Sequence, residues 1–174
     1  LNIFNILAKK IVSNFSNLTS RIEIILDDES NSFKVSLDEI CKILKSEINY
    51  FDWVGFYFSN HKEKVLILES YSGKPTDHLK IPFGKGICGQ VAVSNMNFIV
   101  PDVSKQQNYI SCNVNVKSEI VIPIFVDRNN VGQIDVDSDS LDPFGEKEIK
   151  LLESVAILVS KKMKKSKIKI YEFN

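Results

Sequence analysis

A chain of 174 residues, 44% hydrophobic and 25% charged, can bury one core and fits a single domain across residues 1–174. Twenty-two basic residues balance 22 acidic ones, which argues against nucleic acid or an anionic membrane surface as the partner and favours a small polar ligand. Three cysteines do not make a secreted disulfide framework, Lys9 and Lys10 follow the apolar N-terminal stretch instead of preceding it, and no run approaches the roughly 18 apolar residues of a membrane span; a reducing cytoplasm is the expected compartment.

In chain order, Phe4, Leu7, Ala8, Ile11, Val12 and Phe15 recur at helical spacing and predict an amphipathic helix over about 1–17. Phe33, Leu37, Ile40, Cys41, Leu44 and Ile48 repeat that pattern, with Ser36 and Glu39 shaped like a capping box at its start and an end near Asn49. Trp53 to Phe58 and Val65 to Tyr71 are rich in aromatic and branched residues and read as a hairpin. Phe83-Gly84-Lys85-Gly86 breaks the pattern, and Ile87 to Val93 suits a short helix that opens at the glycines, with Cys88 in its first turn. Asn97 to Val100, Glu119 to Phe125 and Val131 to Val136 are further strands, and a long helix over about 144–163 closes the chain. Strands grouped in the middle with helices at both ends predict an α+β sandwich.

The three cysteines differ in context. Cys41 lies on the apolar stripe of the second helix and reads as a small core hydrophobe. Cys88 follows a Gly-Lys-Gly turn at a helix N-terminus, where unsatisfied N–H groups favour a thiolate, so reactivity is expected over burial. Cys112 sits in Ser104 to Lys117, a stretch without clean period and crowded with Asn, Gln, Ser and Tyr, which reads as a loop. Metal binding is the rival reading, but there is no CxxC pair, and His61 and His78 fall in polar stretches; four ligands for a closed zinc site are not evident. Asp135 and Asp137 alternate with Ile134 and Val136, so both carboxylates share one strand face. Periodicity leaves open whether that face is solvated or lines a pocket in which proximity raises a carboxyl pKa.

Several stretches resemble, in order and spacing, the free methionine-(R)-sulfoxide reductases of the GAF-domain superfamily. They are Trp53-Val54-Gly55-Phe56-Tyr57, Ile81 through Gly89, Val100-Pro101-Asp102-Val103, Ile110-Ser111-Cys112, Ser118 through Pro123 and Gly132 through Ser138. The resemblance covers about residues 33 to 160. It implies a GAF sandwich: a central antiparallel sheet, helices packed on one side and a loop-covered ligand pocket on the other. It implies reduction of free L-methionine-(R)-sulfoxide to methionine, with Cys112 as nucleophile and Cys88 as the resolving thiol. Glu119, Asp135 and Asp137 would hold and protonate the sulfoxide oxygen, and Trp53 and Tyr57 would form the wall for the S-methyl group, a spacing that core aromatics fit equally well. No cofactor would be bound; thioredoxin, with NADPH behind it through thioredoxin reductase, would reset the enzyme.

Three departures accompany the resemblance. Phe98 stands where many members carry a third cysteine, which closes any route through that thiol. The family's His-Ile-Ala-Cys-Asp stretch reads Tyr109-Ile110-Ser111-Cys112-Asn113, and Val116 replaces a small polar residue. A ligand-binding GAF sensor, its apolar terminal helices forming a homodimer interface, and a cysteine redox switch without turnover are the alternative readings. The lysine-rich tail over 161–174 reads as a solvated helix end that complements the helix dipole, not as a nucleic-acid or membrane contact.

Overall fold

The computed structural model describes residues 3–106 and 115–168, with side chains from residue 15 onward. The middle of the chain, dense in aromatic and β-branched residues, forms β1 (Trp53–Asn60), β2 (Val65–Ser72), β3 (Lys80–Pro82), β4 (Phe98–Val100), β5 (Ser118–Val126) and β6 (Asn129–Ser138). These six strands form one antiparallel sheet in the order β3-β2-β1-β6-β5-β4, so β1 and β6 meet at its centre although far apart in sequence. The β5–β6 hairpin turns through Asp127 (φ 48°) and Arg128 (φ 68°), the left-handed pair that a type I′ turn requires.

Strand periodicity divides the interior in two. Val54, Phe56 and Phe58 of β1, Ile120, Ile122 and Ile124 of β5, and Ile134 and Val136 of β6 face one way. Against them pack α1 (Ile3–Asp27), α2 (Phe33–Glu47) and α4 (Glu146–Lys165), through Leu18, Ile22, Leu37, Leu44, Leu152, Val155 and Val159 among others. The opposite face carries a smaller cluster that includes Tyr57, Leu66, Val100 and Val121, covered by α3 (Gly86–Ser94) through Ile87, Cys88 and Val91. The architecture is the expected α+β sandwich, with one amendment: α3 lies on the pocket side of the sheet instead of joining the other helices.

Other expectations need correction. The first helix does not end near residue 17 but continues to Asp27, because Leu18, Ile22 and Leu26 extend the buried stripe beyond Phe15 at spacings of three and four. Ser36 does not cap α2: Ser32 is the N-cap, its hydroxyl accepting from the Val35 N–H, while buried Ser36 donates to the Ile25 carbonyl at 3.4 Å. That helix ends at Glu47, and α4 spans Glu146–Lys165, with the Glu148 carboxylate accepting from the Gly145 N–H at 2.8 Å. β3 was not anticipated; three residues are too few for a period to register.

Cys41 is fully buried in the helical core, as its stripe position implied, and burial pushes its thiol pKa upward. Part of the lysine-rich segment belongs to the last turns of α4, where Met163 is buried, Lys164 pairs with Asp127, and Lys165 lies 3.9 Å from Asp27 and 3.8 Å from Glu29. Among the described residues no helix is long and apolar enough to cross a membrane.

Candidate active site

The face of β6 that turns away from the main core carries Gln133, Asp135 and Asp137. Antiparallel register sets Glu119 of β5 opposite Asp137, and Gly55 and Trp53 of β1 opposite Asp135 and Asp137. All three carboxylates are enclosed: Glu119 is 4% exposed, Asp135 and Asp137 1% each. The face left open by periodicity is therefore buried, not solvated. Among the described residues none of the three carboxylates takes part in an ion pair, and Oδ1 of each aspartate lacks a hydrogen-bond partner. Like charges directly opposite one another on a sheet are unfavourable, so this arrangement is maintained against a local cost.

Above the carboxylates lies the start of α3. Gly86 adopts φ 61°, a left-handed conformation, and Gly89 approaches the preceding turn so closely that a Cβ there would stand 2.5 Å from the Pro82 carbonyl oxygen. This close approach brings the first helical turn down onto the sheet. The Cys88 thiol contacts Glu119 Oε1 at 3.9 Å, and Cys88, Glu119 and Asp135 each offer a ligand atom within 4.8 Å of the others. Cys88 is in the first turn as expected, yet it is 4% exposed, which corrects the reading that its context disfavours burial. A cavity of about 50 Å³, lined by His78, Ile81, Ile87, Cys88, Glu119 and Asp135 among others, opens onto the cluster. Cys112 lies outside the described residues, as does the rest of 107–114.

Trp53 lies flat over Gly55: a Cβ at Gly55 would come within 2.2 Å of the indole Cη2. The indole stacks on Tyr71 with ring centroids 5.7 Å apart and stands 6.3 Å from Tyr57. It lines a second cavity, of about 490 Å³, with Asp137, Val116, Lys45, Asp52, Lys74 and Asp139. Tyr57 is fully buried in the packed cluster beneath, its hydroxyl donating to the His78 carbonyl at 3.0 Å. Sequence reasoning missed Asp52 and Asp139, although Asp139 continues the two-residue period of Asp135 and Asp137. The Asp139 N–H donates to Asp52 Oδ2 at 2.7 Å, tying the end of β6 to the start of β1.

The Trp53 geometry carries a direct test. Gly55→Ala must displace an indole held between Tyr71 and Gly73, at a cost of about 1–3 kcal/mol for an overpacked site. Because Trp53 is the only tryptophan, its emission reads the site alone and is expected to shift to the red as the ring leaves its buried position.

The GAF domain model matches residues 29–163. The chain belongs to the GAF-domain family. GAF domain-containing protein A of Dictyostelium discoideum is 37% identical over 145 residues, 83% of this chain and 89% of that protein. The free methionine-R-sulfoxide reductase of Saccharomyces cerevisiae is 39% identical over 122 residues, 69% of this chain and 66% of that one. Among solved structures, the free methionine-R-sulfoxide reductase from Neisseria meningitidis in complex with its substrate superposes with a TM-score of 0.83 at 30% identity, covering 90% of this chain and 92% of that one.

In this GAF domain the buried acids shift one another's ionisation. Burial raises the Glu119 pKa most, followed by the charges of Asp135 and Asp137. Burial likewise raises Asp137, reinforced by Asp135, Asp139 and Asp52, and it carries Asp135 to about 7. For Asp135 the folded-state pKa lies above the unfolded one, so folding favours the neutral acid. Its stabilising contribution is complete below pH 3.8 and is lost as pH rises towards about 7, a change of about 4 kcal/mol. Asp135→Asn is therefore expected to stabilise the GAF domain at pH 8 and hardly at all at pH 4. Paired urea melts with a chelator present read the difference, and equal gains at both pH values would contradict this assignment.

Proposed function

We propose that the chain reduces free L-methionine-(R)-sulfoxide to L-methionine by thiol chemistry. The observation that carries the proposal is a trio of buried carboxylates without an ion pair among the described residues, two of which, Glu119 and Asp135, lie beside the Cys88 thiol. Reduction of a sulfoxide must protonate and remove an oxygen, and raised carboxyl pKa values keep an acid available to do so near neutral pH. The relatives named as reductases of this substrate support the same reading.

In the proposed cycle the Cys112 thiolate attacks the sulfoxide sulfur while Glu119, Asp135 and Asp137 hold the oxygen and supply a proton. Methionine leaves as Cys112 takes up the oxygen as a sulfenic acid. Cys88 attacks that sulfur, water departs and a disulfide forms. Thioredoxin then reduces the disulfide at the expense of NADPH through its own reductase, with no cofactor bound by this chain. Trp53 forms the apolar wall for the S-methyl group, with the buried Tyr57 backing the indole at a centroid distance of 6.3 Å. The cavity at Trp53 carries Lys45 and Lys74 together with Asp52 and Asp139, the two signs of charge that the ends of a free amino acid require. A reducing cytoplasm supplies the reductant.

The test is NADPH consumption with thioredoxin and thioredoxin reductase, with free methionine-R-sulfoxide and S-sulfoxide offered separately. Turnover of the R epimer alone is expected. No turnover of either epimer by folded, fully reduced protein would overturn the proposal and favour a homodimeric GAF sensor or a cysteine redox switch.

A further inference from the structure

We propose that Cys88, Glu119 and Asp135 form a binding site for a thiophilic divalent metal ion of the zinc class. The sequence offers no metal-ligand spacing because the set is assembled from three separate elements: α3, β5 and β6. The fold nevertheless brings one sulfur and two carboxylate oxygens within 4.8 Å of one another. Zinc binds sulfur at about 2.3 Å and carboxylate oxygen at about 2.0–2.2 Å in tetrahedral geometry, which separates the two ligand atoms by about 3.5 Å. The observed separation of Cys88 Sγ and Glu119 Oε1 is 3.9 Å, so closure around an ion needs only a small contraction.

A second observation points to a cation. Asp135 Oδ1 and the adjacent Asp137 Oδ1 are buried without a hydrogen-bond partner among the described residues, although a buried carboxylate oxygen normally finds one. A divalent ion bound to Asp135 would occupy that vacant valence and offset the crowding of negative charge. The sulfur decides the class of ion: magnesium and calcium take all-oxygen sets, whereas a thiolate with carboxylates suits zinc. Three protein ligands leave a fourth position open. The cavity at Cys88, also lined by Glu119 and Asp135, offers the path of entry. The inference does not rest on the reductase reading, since the same atoms would bind metal in a GAF domain that catalyses nothing. In a reductase, the ion would occupy the oxygen cradle and engage the resolving thiol, inhibiting turnover reversibly.

The test uses the full chain, reduced with a phosphine and stripped of metal, titrated with Co²⁺ as a spectroscopic probe and then with Zn²⁺. The expected result is a near-ultraviolet thiolate-to-cobalt charge-transfer band that saturates at one ion per chain. Zn²⁺ should abolish the band, and excess Mg²⁺ should leave it intact. Cys88→Ser should lose the band and Cys41→Ser should keep it. Glu119→Gln and Asp135→Asn retain the sulfur and nearly the same shape, and should weaken binding at least about tenfold, with near-ultraviolet circular dichroism verifying that each variant is folded. Absence of the band, its survival in Cys88→Ser, its displacement by Mg²⁺, or unchanged affinity in both carboxamide variants would each overturn the proposal.

Discussion

Cys112→Ser is expected to reduce methionine-R-sulfoxide turnover by at least about 10⁴-fold, the scale seen when a catalytic nucleophile is removed. Cys88→Ser should behave differently. Reduction of one sulfoxide takes two electrons, and a single thiol that becomes a sulfenic acid supplies both. A protein without Cys88 can therefore release one methionine per chain before it stalls, whereas thioredoxin-driven turnover collapses because no disulfide forms. Quench-flow quantitation of methionine separates the two variants: a stoichiometric burst in Cys88→Ser and none in Cys112→Ser. The reverse pattern would make Cys88 the nucleophile, an alternative favoured by the contact of its sulfur with Glu119. Cys41→Ser should show wild-type kinetics, since Cys41 is fully buried in the core on the helical side of the sheet.

The sandwich was legible in the sequence because its longer strands are dense in aromatic and β-branched residues and are separated by turn residues. The two-residue alternation of Ile134 and Val136 with Asp135 and Asp137 placed the carboxylates on a common face. It could not say what covers that face, because the cover, α3, comes from a segment some 45 residues earlier and packs through tertiary contacts. The same limit explains Cys88: a helix N-terminus is a local feature, but the burial of its first turn depends on the approach of Gly89 to Pro82. Ser36 and Glu39 matched a capping pattern locally, yet Ser32 lies at the actual start of the helix and accepts the backbone N–H of Val35. Ser16, Asn17, Thr19 and Ser20 interrupted the apolar stripe of α1 visually without breaking its period at Leu18, Ile22 and Leu26. The Cys88–Glu119–Asp135 cluster left no trace in spacing, since only the sheet register and the descent of α3 bring the three together.

Glu119→Gln is expected to lower kcat by about 10²–10³-fold while leaving KM nearly unchanged. Glutamine preserves the shape and can still donate an N–H hydrogen bond to the sulfoxide oxygen, but it cannot deliver a proton as the S–O bond breaks. The loss should therefore fall on the chemical step, with Glu119→Asp recovering part of it. The pH profile distinguishes this role from a structural one. Wild-type rate should fall as pH rises and the buried acids ionise as a coupled group, with Asp135 near 7, and the glutamine variant should lose part of that dependence. Stability should move in the opposite direction. Replacing Glu119 removes an ionisable group with a raised folded-state pKa, so the variant should gain stability over wild type as pH rises. A protein that is slower yet harder to unfold at pH 8 has not lost activity through misfolding. In the proposed cycle, what it has lost is the proton donor that Glu119 contributes beside Asp135 and Asp137.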